Sequence, residues 1–359
     1  MTDRSATSRR KDCGAPLVVE LISPYWDNPY VLDLETALGD LPGVMVVANT
    51  GCLPVRSAQI VHIQWPDGLL RGAKRSVLRR CVRLAGLALQ LRSKSGPKLV
   101  VTVHNIEPHE RSAAATVIQR WVLRNADDLV VLTSSGADRL RKAFPVLDRQ
   151  RLKVIPHMGW AERYAFDGVS PLCETGMPIV GWFGRMRAYK GIEAIADLVR
   201  SSPDIPLRFV LMGSRGDRSS EIEEALSLLR RDRRVCVAER RVTDQEIWSL
   251  CQGASVIWLP YRAVENSGAV FAALAAGCRV LVPNMGSMQE IAEEYGEDRV
   301  LLYEGEMTGP RLYAVATNPL VHPPAGPPAR RSASAVAKEH EKLYYESVQV
   351  SVAGKGLRA

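Results

Sequence analysis

Short apolar runs rich in β-branched residues recur along the whole chain, with helical spacing or turn residues between them. In the first half they fall at 17–22, 44–48, 60–63, 99–103, 129–132 and 152–155. In the second half they fall at 179–183, 207–212, 235–237, 255–259, 279–282 and 300–302. Continuous apolar runs, rather than alternating ones, mark strands buried on both faces, and helices between them imply parallel neighbours. Six and six predict an α/β protein with two doubly wound parallel-sheet domains. Regular patterning lapses over 159–178, and a proline-rich stretch, VHPPAGPP, occupies 321–328. The expected organisation is a disordered tail over 1–16, an N-terminal domain over 17–160 and a linker over 161–178. A C-terminal domain over 179–328 follows, then a terminal helix and tail over 329–359.

The most informative stretch is 258–290, WLPYRAVENSGAVFAALAAGCRVLVPNMGSMQE. A buried strand ends near Leu259, a polar turn follows, and a small apolar helix begins at Gly268 and stops at Gly277. Glu265, Asn266, Ser267 and Gly268 stand at the helix entrance, where unpaired backbone N–H groups and the dipole suit an anion. Gly268 would let that anion approach the backbone. The plainer reading makes Ser267 an N-cap and the alanines packing. Further back, in GRMRAYKG, Lys190 precedes a helix starting near Gly191. A cation there opposes the helix dipole and is tolerated when an anion shares the site. Gly213 and Ser214 end the next strand, but no Gly-x-Gly-x-x-Gly occurs anywhere, so the dinucleotide fingerprint is absent.

In the first half, loops after three strands carry chemistry. SPYWDNPY, 23–30, offers Tyr25, Trp26 and Tyr30, flat faces fit for stacking on a sugar or lipid head group, or equally for packing. HIQWPDG brings His62, Gln64, Trp65 and Asp67 to the end of the third strand. The clustering continues after the fourth, where TVHNIEPHE places His104, Glu107 and His109. Loops at the carboxyl ends of parallel strands are where open α/β sheets bind ligands.

Charge sharpens this picture. The net charge is +8, and residues 1–160 hold 23 Lys plus Arg against 14 Asp plus Glu, so the whole excess lies there. Residues 71–96 contain eight basic residues and no acid. Arg71, Arg75, Arg79 and Arg83 recur at i, i+4 and form one helical stripe, which is self-repelling without an anion nearby. Anionic lipid is the expected partner and nucleic acid is not, since no recognition module is visible. Seven scattered cysteines without a Cys-x-x-Cys pair read as reduced thiols with no zinc site. No run is long and apolar enough to span a bilayer, and the polar N-terminus is no secretory signal. No Asp-x-Asp occurs, so no metal-carboxylate site is expected.

Gly184, Arg185, Lys190 and Gly191, together with 260–290, resemble the donor-binding segments of GT-B-fold glycosyltransferases, over about 17–320 of the chain. Ser267-Gly268-Ala269 resembles the bacterial group 1 branch that builds exopolysaccharides and glycolipids, whose sequences carry similar Trp-Pro and His-Asn motifs. The resemblance implies two Rossmann-like domains, the second holding a nucleotide-sugar and the first a lipid-linked or other glycan acceptor. It implies that Arg185, Lys190, Ser267 and Gly268 hold the donor diphosphate in place of a metal. Glu265 and His104 would face the sugar and Gly213 the nucleoside; Glu290, in a Met-Gln-Glu turn after the next strand, is expected from its place alone to substitute at the ribose. An inverting reaction needs a base, for which Asp67, Glu107 and His109 are available; a retaining one does not. The second glutamate of the family pattern falls on Ala273, a departure. The expected activity is hexosyl transfer with no cofactor beyond the donor, in the cytoplasm at the inner face of the plasma membrane. Two alternatives share the fold: a nucleotide-sugar epimerase, and a non-catalytic binding protein descended from a transferase.

Overall fold

The computed structural model describes residues 15–49, 58–69, 74–93, 96–106, 113–145, 147, 151–164, 166, 176–216, 219–318 and 327–356. Among them, twelve strands form, each within one residue of an apolar run at either end. All strand pairings are parallel. That is the consequence of helical crossovers between runs buried on both faces. Contacts divide the chain into two units: residues up to Val131, Phe144–Ile155 and from Val336 onward, against Leu132–Ala143 with Pro156–Ala335.

The first unit contains β1 (Leu17–Ile22), α1 (Pro29–Gly39), β2 (Val44–Asn49), β3 (Ile60–Gln64), α2 (Lys74–Leu91), β4 (Lys98–Val103), α3 (Ala113–Asn125), β5 (Asp128–Val131) and β6 (Arg151–Val154). The sheet order is β2-β1-β3-β4-β5-β6, which reverses direction between β1 and β3. The C-terminal helix α11 (Ala333–Gly356) buries Val336, His340, Leu343, Tyr344 and Ser347, spaced as one helical face. Tyr344 hydrogen-bonds His62 on β3, Ser347 donates to Asp128 at the start of β5, and Tyr345 donates to the Gly43 carbonyl at 2.8 Å. The last helix thus completes the first unit.

The second unit contains α4 (Ser134–Ala143), β7 (Ile179–Phe183), α5 (Ile192–Ser201), β8 (Arg208–Met212), α6 (Ser220–Arg231), β9 (Val235–Ala238) and α7 (Asp244–Gly253). It continues with β10 (Val256–Trp258), α8 (Gly268–Ala275), β11 (Val280–Pro283), α9 (Met288–Tyr295), β12 (Val300–Tyr303) and α10 (Gly309–Thr317). Its order, β12-β11-β10-β7-β8-β9, reverses between β10 and β7. The expected boundary at 160 falls instead after Ile155. Burial explains why. His157 stacks on Phe271 with centroids 4.7 Å apart, and Arg331, 1% exposed, lies over the same ring at 4.8 Å. Arg331 also pairs with Glu294 and donates to the His157 carbonyl at 2.9 Å. A buried guanidinium so fully engaged fixes both chain segments to α8 and α9.

Candidate active site

The crevice at the β7–β10 reversal is where a doubly wound sheet accepts a ligand. Two glycines let its loops touch. A Cβ on Gly191, which has φ of 69°, would lie 1.8 Å from the Pro260 carbonyl oxygen. One on Gly213 would lie 1.7 Å from that of Gly184. The close approach to Gly184 therefore accounts for Gly213, the residue expected at the nucleoside, without any ligand. Lys190 Nζ reaches over Gly184, 3.1 Å from where a Cβ would sit, and stands 5.2 Å from the Tyr261 ring.

Lys190 has no carboxylate partner among the described residues. Burial, and then the neighbouring Arg187 charge, lower its pKa to about 8. Arg185 is exposed, and the buried Nε of Arg187 has no hydrogen-bond partner among the described residues. Three cations for which no carboxylate partner is found among the described residues make an environment that an anion would relieve. Arg187 was not singled out from the sequence. Its signal was the i, i+2 spacing to Arg185, which an extended backbone turns to one side.

The entrance to α8 differs from expectation. Ser267 is 5% exposed, and its hydroxyl both caps α8 by accepting from Val270 N–H and pairs with the Tyr261 hydroxyl at 2.6 Å. The space before Gly268 belongs to Trp160, whose ring would be 2.7 Å from an added Cβ. The glycine makes room for an indole, not for an approaching anion. Ala273 is fully buried, so that position offers nothing to a ribose.

Both glutamates assigned to the donor are engaged with α4. Arg139 donates to Glu265 Oε2 from Nε at 3.0 Å and also from Nη2. Ser287 Oγ donates to the Glu265 carbonyl at 2.5 Å, which fixes the backbone as well. Glu290 accepts from the N–H groups of Ser134 and Ser135 at 3.0 and 3.2 Å, so it caps the start of α4. In this structure the carboxylate expected at the ribose is engaged in capping α4.

In the first unit the reversal between β1 and β3 gathers the aromatic loop and the His-Gln-Trp loop. Tyr25 meets Trp65 edge-on at 5.6 Å. Tyr30, offered as an acceptor platform, is 1% exposed and packs edge-on against Trp65 and His104, so it is core. Tyr25 and Trp26 remain partly exposed. His104 is 6% exposed, stacked on Trp65 at 3.6 Å, with its Nε2 2.6 Å from Gln64 Oε1. Asp67 is partly exposed on the short turn Pro66–Gly68. Glu107, His109 and Arg71 lie outside the described residues, as do the side chains of Arg75, Arg79 and Arg83 on α2. Among the described residues, no group of three or more His, Cys, Asp or Glu could hold a metal ion.

Residues 177–311 match the family described as glycosyl transferases group 1. The chain is 27% identical over 332 residues to a GDP-mannose:glycolipid 4-beta-D-mannosyltransferase of Xanthomonas campestris pv. campestris, covering 89% of each chain. Sucrose-phosphate synthase from Thermosynechococcus elongatus superposes with a TM-score of 0.59 at 16% identity, over 95% of this chain and 98% of that one. An Anabaena protein solved in complex with UDP and glucose gives 0.59 at 13% identity, over 95% and 99%. These likenesses support neither the epimerase nor the non-catalytic alternative. With its paired parallel six-stranded sheets and its family match across the second, the chain is a GT-B-fold glycosyltransferase of the group 1 type.

Proposed function

We propose that this enzyme transfers mannose from GDP-mannose to a glycolipid at an anionic membrane surface, without a metal ion. The observation that carries the reading is the similarity, over 89% of both chains, to the GDP-mannose:glycolipid mannosyltransferase. The cationic crevice supports it: Lys190, Arg185 and Arg187 would stabilise charge on the departing nucleoside diphosphate. His104 would face the donor sugar, and Glu265 would accept from a sugar hydroxyl through Oε1 while Arg139 holds Oε2. A β-mannoside formed from an α-linked donor requires inversion, and Asp67 is the base assigned to it.

Membrane docking is supported by α2. Leu84 and Leu87 are buried, while Val82 and Leu89, seven residues apart on the opposite face, are 63% and 70% exposed. Apolar residues beside a run of arginines suit the interface of an anionic bilayer. Among the described residues no helix is long and apolar enough to cross one.

The test is nucleoside diphosphate release from a panel of nucleotide-sugars with a glycolipid acceptor. GDP-mannose should be preferred, and EDTA should leave turnover unchanged. Turnover with another donor alone would overturn the donor assignment, and loss in EDTA restored by a divalent ion would overturn metal independence. For docking, sedimentation with phosphatidylglycerol vesicles should be lost on charge reversal at Arg75 and Arg79, with nucleotide binding retained. Equal binding to neutral and anionic vesicles at low salt would exclude it.

A further inference from the structure

Strand alternation places His62 and Gln64 of β3 on one face, and Thr102 with His104 beside them at the end of β4. His62, Gln64 and Thr102 are fully buried. Polar groups so enclosed are tolerated only when each finds a partner, and here they form one chain. Tyr344 on α11 lies 2.7 Å from His62 Nδ1. His62 Nε2 lies 2.8 Å from Thr102 Oγ1 and 3.0 Å from Gln64 Nε2, which also approaches Thr102 at 3.3 Å. Gln64 Oε1 ends the chain on His104 Nε2 at 2.6 Å.

We infer that Gln64, anchored through His62 to Tyr344, is a positioning residue that fixes the ring orientation and the proton of His104. The proposal rests on the reading that His104 faces the donor sugar. An amide oxygen only accepts, so with Gln64 oriented as it is, His104 carries its proton on Nε2. The amide nitrogen only donates, so His62 accepts at Nε2, carries its proton on Nδ1 and gives it to the Tyr344 oxygen. A second feature converges on the same ring. Trp65, a non-glycine residue with φ of 48°, stacks on His104 with planes only 9° apart, and Tyr30 closes the edge. A left-handed tryptophan is a strained choice unless its placement matters. Stack, edge and hydrogen bond together leave the imidazole one orientation.

The full-length chain labelled with 15N-histidine would show the tautomers directly by two-bond 1H–15N spectra. Wild type should show His104 protonated at Nε2 and His62 at Nδ1. Gln64→Leu should mix the His104 tautomers and lower kcat by about 10- to 100-fold, with the donor KM changed less than about threefold. Gln64→Glu keeps the acceptor for His104 and removes the donor to His62. It should therefore rescue most of kcat and move the proton of His62 alone. Tyr344→Phe should perturb His62 and leave the fold intact, which keeps the test open if Gln64→Leu fails to fold. Unchanged His104 spectra and kcat in folded Gln64→Leu, or unchanged His62 spectra in Gln64→Glu, would overturn the proposal. Undiminished transfer by His104→Ala would remove the role of His104 itself, while the tautomer spectra still decide whether Gln64 positions it.

Discussion

Lys190 is a lysine held over a glycine between two tyrosine rings, with a second cation beside it. Its pKa is lowered from 10.5 to about 8, so the free protein releases this proton well below the ordinary lysine range. The unfolded chain keeps it, so this group makes the free protein more stable as pH rises from 8 to 10.5. A bound diphosphate holds the proton on, so binding weakens over the same interval. Calorimetry of nucleoside diphosphate binding at pH 9, in buffers of different ionisation heat, should show uptake approaching about one proton. Lys190→Met should abolish it, and a wild type without uptake would place the diphosphate elsewhere. Much at this scale was legible. Arg185 and Lys190 stood out because a Gly-Arg and a Lys-Gly flank one strand end. Arg187 did not, being one arginine among many. Tyr30 was misplaced because an aromatic side chain in a loop reads the same whether it faces a ligand or the core. The Arg139–Glu265 pair spans a sequence separation for which no local pattern exists.

Elements were more legible than contacts. Strands buried on both faces leave continuous apolar runs, and α8 announced itself by Ser267 before it and Gly277 after it. What faced Gly268 was illegible, because Trp160 arrives from outside the strand-helix-strand unit. Helix α4 shows the same limit from the other side. Its first turn is held by Glu290, a residue of α9, whose carboxylate meets two orphan N–H groups and the positive dipole end. Glu290→Ala should weaken α4 by about 1 kcal/mol, the ordinary worth of a cap. Hydrogen exchange at Ser134 and Ser135 should quicken while that of α8 is unchanged. Exchange at α4 as slow as in wild type would show that another group caps it.

At the scale of the whole molecule, three histidines are buried in the neutral form. Burial pushes His157 and His340 down to about 4, and His62 well below its ordinary value, with His340 adding to the effect on His62. Their folded pKa values are depressed, so the unfolded chain binds protons that the native one refuses. The contribution of these histidines to stability should be level above pH 6.5 and fall as pH drops toward 4, by up to about 1.4 kcal/mol per pH unit for each. Urea midpoints at pH 7.5, 6 and 5 should decline in that order, and a flat series would mean that these rings are charged in the fold. His62 and His340 also mark a feature of chain order. They meet only because α11 returns to a sheet whose last strand ended at Val154. On the ribosome, about 180 residues separate the end of that sheet from its covering helix, roughly 10–40 s of synthesis. Throughout that interval the later unit can assemble while the earlier sheet lacks the helix that buries His62 on β3 and Asp128 on β5. The half of the protein made first is therefore the half finished last, and the one most exposed to chaperones and proteases during its birth.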